Sequence, residues 1–228
     1  MSPRPALRLA VLISGRGSNM VAIAQACRQK RIGATITVVI SDQPDAAGLD
    51  RAREMGIEAV TVPRRSHLNR EAFEDAMAEV IEAHGADVVI LAGFMRVLSP
   101  KFVDRYVGRM LNIHPSLLPK YQGLHTYQRV LAAGDREHGA SVHFVTAELD
   151  GGPLVLQSKV DVLEGDTEDS LSARVHVTEH IIYPKVIGLL ADGRLACRDD
   201  RVWLDGVPLA QPLVEDFREA SRRLRDKA

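Results

Sequence analysis

Four short apolar runs, separated by stretches with helical spacing, constrain this chain more than any other feature. The runs are Leu9–Ser14, Thr35–Ile40, Ala59–Val62 and Asp87–Ala92, the last reading DVVILA. Between them lie helical patterns at about 20–30, 46–56 and 69–84. In the third pattern Phe73, Met77, Val80, Ile81 and His84 recur on one stripe. Strands that alternate with helices are joined by right-handed crossovers and build a parallel sheet. Such strands are covered on both faces, which is why they are continuously apolar rather than alternating. Punctuation supports the division: Gly56 and Gly85 follow helices, Asn69 caps one, and Ser99 precedes Pro100 at the start of a short helix. His84, in a last helical turn where a cation suits the dipole, reads as structural. Arg70, in a first turn, opposes the dipole, so it either faces a ligand or is a solvated surface arginine.

The next strand carries polar side chains. In Leu111–Pro119, LNIHPSLLP, alternation sends Asn112 and His114 to one face and Leu111 and Ile113 to the other. Pro115 lacks a ladder donor and ends the strand. An amide and an imidazole therefore stand together at a strand's C-terminal end, where open α/β sheets bind ligands. A solvent-facing edge histidine is the alternative.

After the first strand, GRGSN leads into a helix. Gly15 and Gly17 allow close approach, and Ser18 and Asn19 can cap the helix or meet a ligand oxygen. Strand, glycine turn and helix can present N–H groups to an anion; a plain tight turn is the other reading. The dinucleotide fingerprint and the P-loop lysine are both missing. Further on, a helix at 124–133 is followed by strands at 140–146 and 154–162, joined by ELDGGP; this hairpin-like pair adds antiparallel strands to one edge. Asp150 before two glycines reads locally as a turn-former. Thr167 to Ser170 open a long helix that Pro184 is expected to kink or interrupt. Its polar stripe, His176, Glu179, His180 and Tyr183, is read as solvated. His176 and His180 have zinc-like spacing but no third ligand follows. Residues 194–205 read as a small hairpin and the tail from Val214 as a charged helix.

The 228 residues carry 29 basic and 30 acidic side chains, so no broad basic face points to nucleic acid. Cys27 and Cys197 have no metal spacing and suit a reducing compartment. No apolar run matches a signal peptide or a membrane span. The expectation is a soluble, cytoplasmic protein of one domain (1–228): an N-terminal phosphate-binding half at about 8–108, a catalytic half at 109–205 and a helical tail at 206–228.

Taken together, LISGRGSN, AGFMRVLSP, LNIHPSLLP and HGASVHFVTAELDGGP closely resemble the phosphoribosylglycinamide formyltransferase family over roughly 9–204. The resemblance implies a Rossmann-like α/β formyltransferase fold: an open twisted sheet, mostly parallel with antiparallel edge strands, helices on both faces. It implies formyl transfer from 10-formyltetrahydrofolate to the amine of 5-phosphoribosylglycinamide, with no metal. The family's catalytic trio falls on Asn112, His114 and Asp150, and its phosphate turn on Gly17, Ser18 and Asn19. The folate site falls on Arg70, on Met95, Arg96, Val97 and Leu98, on Asn112, and on Thr146, Ala147, Glu148, Leu149 and Asp150; Glu179 matches a substrate-binding residue. Departures are Arg16, where some members carry Asn, His176, where some carry Gln, and Gln122 and Tyr127. The implied partners are small molecules, not nucleic acid or membrane, with a homodimer as the assembly to test.

The residue chemistry agrees. Attack of an amine on a formyl group makes an oxyanion that needs donors, which Asn112 and protonated His114 supply. Histidine moves the proton between nitrogens, and Asp150 supports the imidazolium. Two rivals stand beside this reading. One is a formyltetrahydrofolate deformylase, which uses a similar trio and usually carries an extra N-terminal domain. The other is a non-catalytic nucleotide-binding domain, in which the trio has no reason to converge.

Overall fold

The computed structural model describes residues 5–219. The apolar runs become β1 (Leu7–Ile13), β2 (Ala34–Ser41), β3 (Ala59–Thr61) and β4 (Val88–Leu91); α1 (Ser18–Arg28), α2 (Ala47–Glu54) and α3 (Arg70–Ala83) connect them. Then follow α4 (Pro100–Asp104), β5 (Met110–His114), α5 (Thr126–Ala133), β6 (Glu137–Phe144), β7 (Leu154–Asp161) and α6 (Glu168–Ala191). A hairpin of β8 (Leu195–Arg198) and β9 (Arg201–Leu204) is extended by β10 (Val207–Pro208), and β11 (Leu213–Asp216) comes last.

Among the described residues one sheet has the order β11-β7-β6-β5-β4-β1-β2-β3. Strands β1 to β5 pair in parallel, and β6 is antiparallel to both β5 and β7. The chain runs outward from β1 through β2 to β3, then returns to lay β4 on the other side of β1. Connections diverge there, so a crevice opens at the C-terminal ends of β1 and β4. Side chains alternate across the sheet into two cores. Leu9, Val11 and Ile13 meet Ile23, Val175 and Ile182 on one face, while Ala10 and Leu12 meet Phe73, Met77 and Phe102 on the other. The mostly parallel sheet with helices on both faces, and antiparallel pairing toward one edge, is the architecture expected from the sequence. No helix among the described residues is long and apolar enough to cross a membrane.

Of the outcomes expected at Pro184, interruption does not occur, and the expected tail helix begins instead as a strand. Pro184 does not interrupt the long helix: α6 runs through it from Glu168 to Ala191. Pro184 is buried beside Tyr183, Val186 and Ile187, so packing on the sheet holds the turn that proline's missing N–H weakens. The tail is not a helix from Val214 either. Residues 213–216 form a strand parallel to β7, with Leu213 opposite Leu156 and Asp216 opposite Lys159. Helical charge spacing loses here to an open sheet edge, reinforced by Lys185–Glu215 and Arg218–Glu137 ion pairs. Residues 220–228 of the expected tail lie outside the described residues.

Candidate active site

Strand β5 delivers Asn112 and His114 to the crevice end of the sheet, and the turn after β6 delivers Asp150 against them. The His114 Nε2–H donates to the carbonyl of Tyr121 at 2.9 Å. Its Nδ1 lies 3.5 Å from Asp150 Oδ2, and both side chains are under a tenth exposed. Asp150 Oδ2 also accepts from the Gly123 amide at 2.9 Å, tying the loop after β5 to the turn. Asp150 has φ +50°, a left-handed conformation that Asp and Asn tolerate better than most residues. The local turn reading of Asp150 is thus met, and the same turn sets its carboxylate beside His114. The second glycine after it is required by space: a Cβ on Gly152 would sit 1.9 Å from the Phe144 carbonyl oxygen.

Sequence reasoning missed His143. Antiparallel register sets it directly opposite Asn112. Its Nδ1–H donates to the Phe144 carbonyl at 2.9 Å, which leaves Nε2 to accept from the Asn112 amide at 3.1 Å. Burial holds the His143 pKa below its ordinary value and keeps the ring neutral, as an accepting Nε2 requires. Its Nε2 is also 3.8 Å from Asp150 Oδ1. The signal in the sequence was only an alternating strand containing a histidine; the partner came from the register.

A cleft opens beside this cluster. Arg96, Val97 and Leu98 line one side, Thr146, Ala147, Glu148, Leu149 and Asp150 the other, with Asn112 and His143 between them. Met95 lies outside the lining and is 66% exposed. Arg70 is not in the lining but reaches the loop from behind: its guanidinium donates to the Val97 carbonyl at 2.6 Å and to Glu74 at 2.9 Å. Its dipole-opposing position is explained by that brace.

The GRGSN turn occupies the end of the neighbouring strand. Gly17 has φ +68°, and a Cβ there would sit 3.0 Å from Gly48 Cα. Helix α2 holds the turn through Gly48 N to Gly15 O at 3.0 Å and Arg51 to Arg16 O at 3.1 Å. Ser18 does not cap: α1 begins after Gly17 with no side-chain cap, which leaves its first-turn N–H groups unclaimed by a capping side chain. Asn19 is buried and donates to Glu179 Oε2 at 2.9 Å. His176 meets the same oxygen at 2.9 Å, a hydrogen bond that raises its pKa. The α6 stripe is therefore solvated only in part: His176 is exposed and His180 half-buried. Glu179 and Tyr183 are buried, and the Tyr183 hydroxyl lies 2.9 and 3.0 Å from the Leu91 and Leu111 carbonyls. Helix α6 turns Glu179 to α1 and Tyr183 to the strand ends while its Leu171/Val175/Ile182 face fixes it on the sheet. His176 and His180 stack at 6.5 Å, and no trio of potential metal ligands gathers among the described residues.

Residues 7–187 match the family described as formyl transferase. The chain is 54% identical over 200 residues to phosphoribosylglycinamide formyltransferase of Escherichia coli K12, covering 88% of this chain and 94% of that protein. It is 46% identical over 202 residues to the Haemophilus influenzae protein of the same name, covering 89% and 95%. Among solved structures, phosphoribosylglycinamide formyltransferase from Coxiella burnetii in complex with CHES superposes with TM-score 0.88 at 47% identity, over 92% of this chain and 99% of that one.

Proposed function

The chain belongs to the formyl transferase family, and from that premise we propose how its residues divide the work of phosphoribosylglycinamide formyl transfer. The reaction moves a formyl group from a folate-derived donor to the amine of 5-phosphoribosylglycinamide, a step of purine biosynthesis. The observation that carries the residue assignment is convergence: Asn112, His143 and Asp150 all line the cleft, and His114 pairs with Asp150.

In this reading 10-formyltetrahydrofolate is the donor. It lies against Arg96, Val97, Leu98 and 146–150, with Arg70 bracing the loop. The phosphate of the acceptor meets the N–H groups of Gly17, Ser18 and Asn19, and Glu179 binds its glycinamide portion. The amine attacks the formyl carbon and the carbonyl oxygen becomes an oxyanion. Asn112 spends one N–H on His143 and keeps the second for that oxyanion. His114 has committed Nε2 to Tyr121, so Nδ1 is the nitrogen left for proton transfer, and Asp150 stabilises the charge it carries. The proton leaves the attacking nitrogen and reaches the tetrahydrofolate nitrogen as the C–N bond to the donor breaks. No covalent nucleophile and no metal enter this scheme.

Residues 8–108 then serve mainly the phosphate and 109–205 the chemistry, within one domain. The proposed setting is the cytoplasm, with small molecules as partners and neither nucleic acid nor membrane. A deformylase would give the formyl carbon to water. The uncapped α1 turn beside the Asn19–Glu179 pair favours a phosphorylated acceptor instead. Incubating the protein with the donor alone and with both substrates decides it. Tetrahydrofolate should form only when the amine is present; formate release from the donor alone would establish the hydrolase.

A further inference from the structure

A buried carboxylate outside the catalytic cluster holds the folate-side loop in place. Asp42 follows β2 directly, and its side chain is 1% exposed. Its Oδ1 accepts from the Ser14 hydroxyl at 2.6 Å; its Oδ2 accepts from Arg96 Nε at 2.7 Å and from Gln43 Nε2 at 2.9 Å. The Ser14 oxygen in turn accepts from the Met95 amide at 2.9 Å. One carboxylate thus touches, directly or through one hydroxyl, the ends of β1 and β2 and two consecutive residues of the loop after β4. A buried charge is tolerated only when paired and hydrogen-bonded, and each partner here lies at the ligand end of the sheet.

The far end of the same loop has its own anchor. Glu74, also buried, accepts from the Ser99 amide at 2.8 Å and pairs with Arg70, which reaches the Val97 carbonyl. Between these two anchors run Arg96, Val97 and Leu98, which line the cleft.

We propose that Asp42 is a positioning residue for the donor site, fixing the near end of the 93–98 loop so that its lining residues face the folate. The inference rests on the assignment of this cleft to the folate. It separates the two substrates, because the phosphate turn is held independently by Gly48 and Arg51 on α2. Replacing Asp42 by Asn keeps an acceptor for Ser14 and the side-chain shape but removes the charge opposite Arg96. Loss of one charge-assisted hydrogen bond should raise the KM for 10-formyltetrahydrofolate about tenfold. The KM for the phosphorylated amine should stay within about twofold and kcat within about threefold, since neither phosphate turn nor catalytic cluster is touched.

A second readout needs no turnover. Hydrogen exchange at the Met95 amide should quicken about tenfold in both Asp42→Asn and Ser14→Ala, relative to wild type, while core-strand amides stay protected. A folded Asp42→Asn with both KM values unchanged, or with both raised equally, overturns the proposal, as does unchanged Met95 exchange. Should Asp42→Asn fail to fold, Ser14→Ala decides by the same criteria. A wild type that transfers no formyl group refutes the functional reading, and Met95 exchange then judges the loop anchor alone.

Discussion

Replacing Asp150 by Asn separates the charge of this side chain from its shape. Asn accepts the left-handed backbone at φ +50°, and its carbonyl oxygen can keep the 2.9 Å bond from Gly123. What disappears is the negative charge 3.5 Å from His114 Nδ1 in a nearly buried pair. At an effective dielectric constant of about 20, a unit-charge pair at that distance is worth roughly 5 kcal/mol. The amide dipole recovers part of it, so about 3 kcal/mol of barrier is at stake, roughly a hundredfold in kcat. The GRGSN turn, to which the phosphate is assigned in this proposal, belongs to another strand end, so KM for the phosphorylated amine should move by less than about threefold. The assay is the rate of tetrahydrofolate formation under saturating and limiting amine, with a thermal melt to show that the variant folds. A folded Asp150→Asn within about threefold of wild-type kcat, a barrier change below ~1 kcal/mol, would reduce Asp150 to a turn residue and refute the mechanism.

Three further outcomes are expected. Gly17→Val places a Cβ 3.0 Å from Gly48 Cα at a positive φ, so KM for the phosphorylated amine should rise at least about tenfold with donor KM little changed; equal weakening of both would indicate a folding defect. Activity should survive exhaustive chelation, because direct aminolysis calls for no Lewis acid; loss on chelation with recovery on adding zinc would overturn that. His138 is held down to about 4, by burial first of all, while it bonds to the Pro115 carbonyl. The unfolded chain takes up a proton near pH 6.5 that the folded state refuses. Stability should therefore fall as pH drops from about 6.5 to about 4, by at most about 3 kcal/mol from this group. Chemical denaturation across that range should show a shallower slope in His138→Gln; an identical slope would remove His138 from the account.

Local chemistry in the sequence determined the architecture and much of the site. Continuous apolar runs such as Val88–Leu91, punctuated by Asn69, Gly85 and Ser99, leave little choice but crossovers and a parallel sheet, because period and capping act within a few residues. The same short range made Asn112 and His114 legible as neighbours on one strand face and GRGSN as a turn before a helix. Tertiary structure decided what depends on contacts across the chain. His143 became the partner of Asn112 through the β5–β6 register, which no local pattern encodes. Asp150 acquired His114 as a partner only when the turn after β6 folded over the end of β5. Glu179 and Tyr183, polar residues on a helix that reads as amphipathic, were buried because α1 and the strand ends supply donors and acceptors for them. The segment 213–216 became a strand because β7 had an unpaired edge, and its own residues could not announce that. A residue's neighbours along the chain set its backbone; its charge state and partners are set by whatever the sheet brings within about 4 Å.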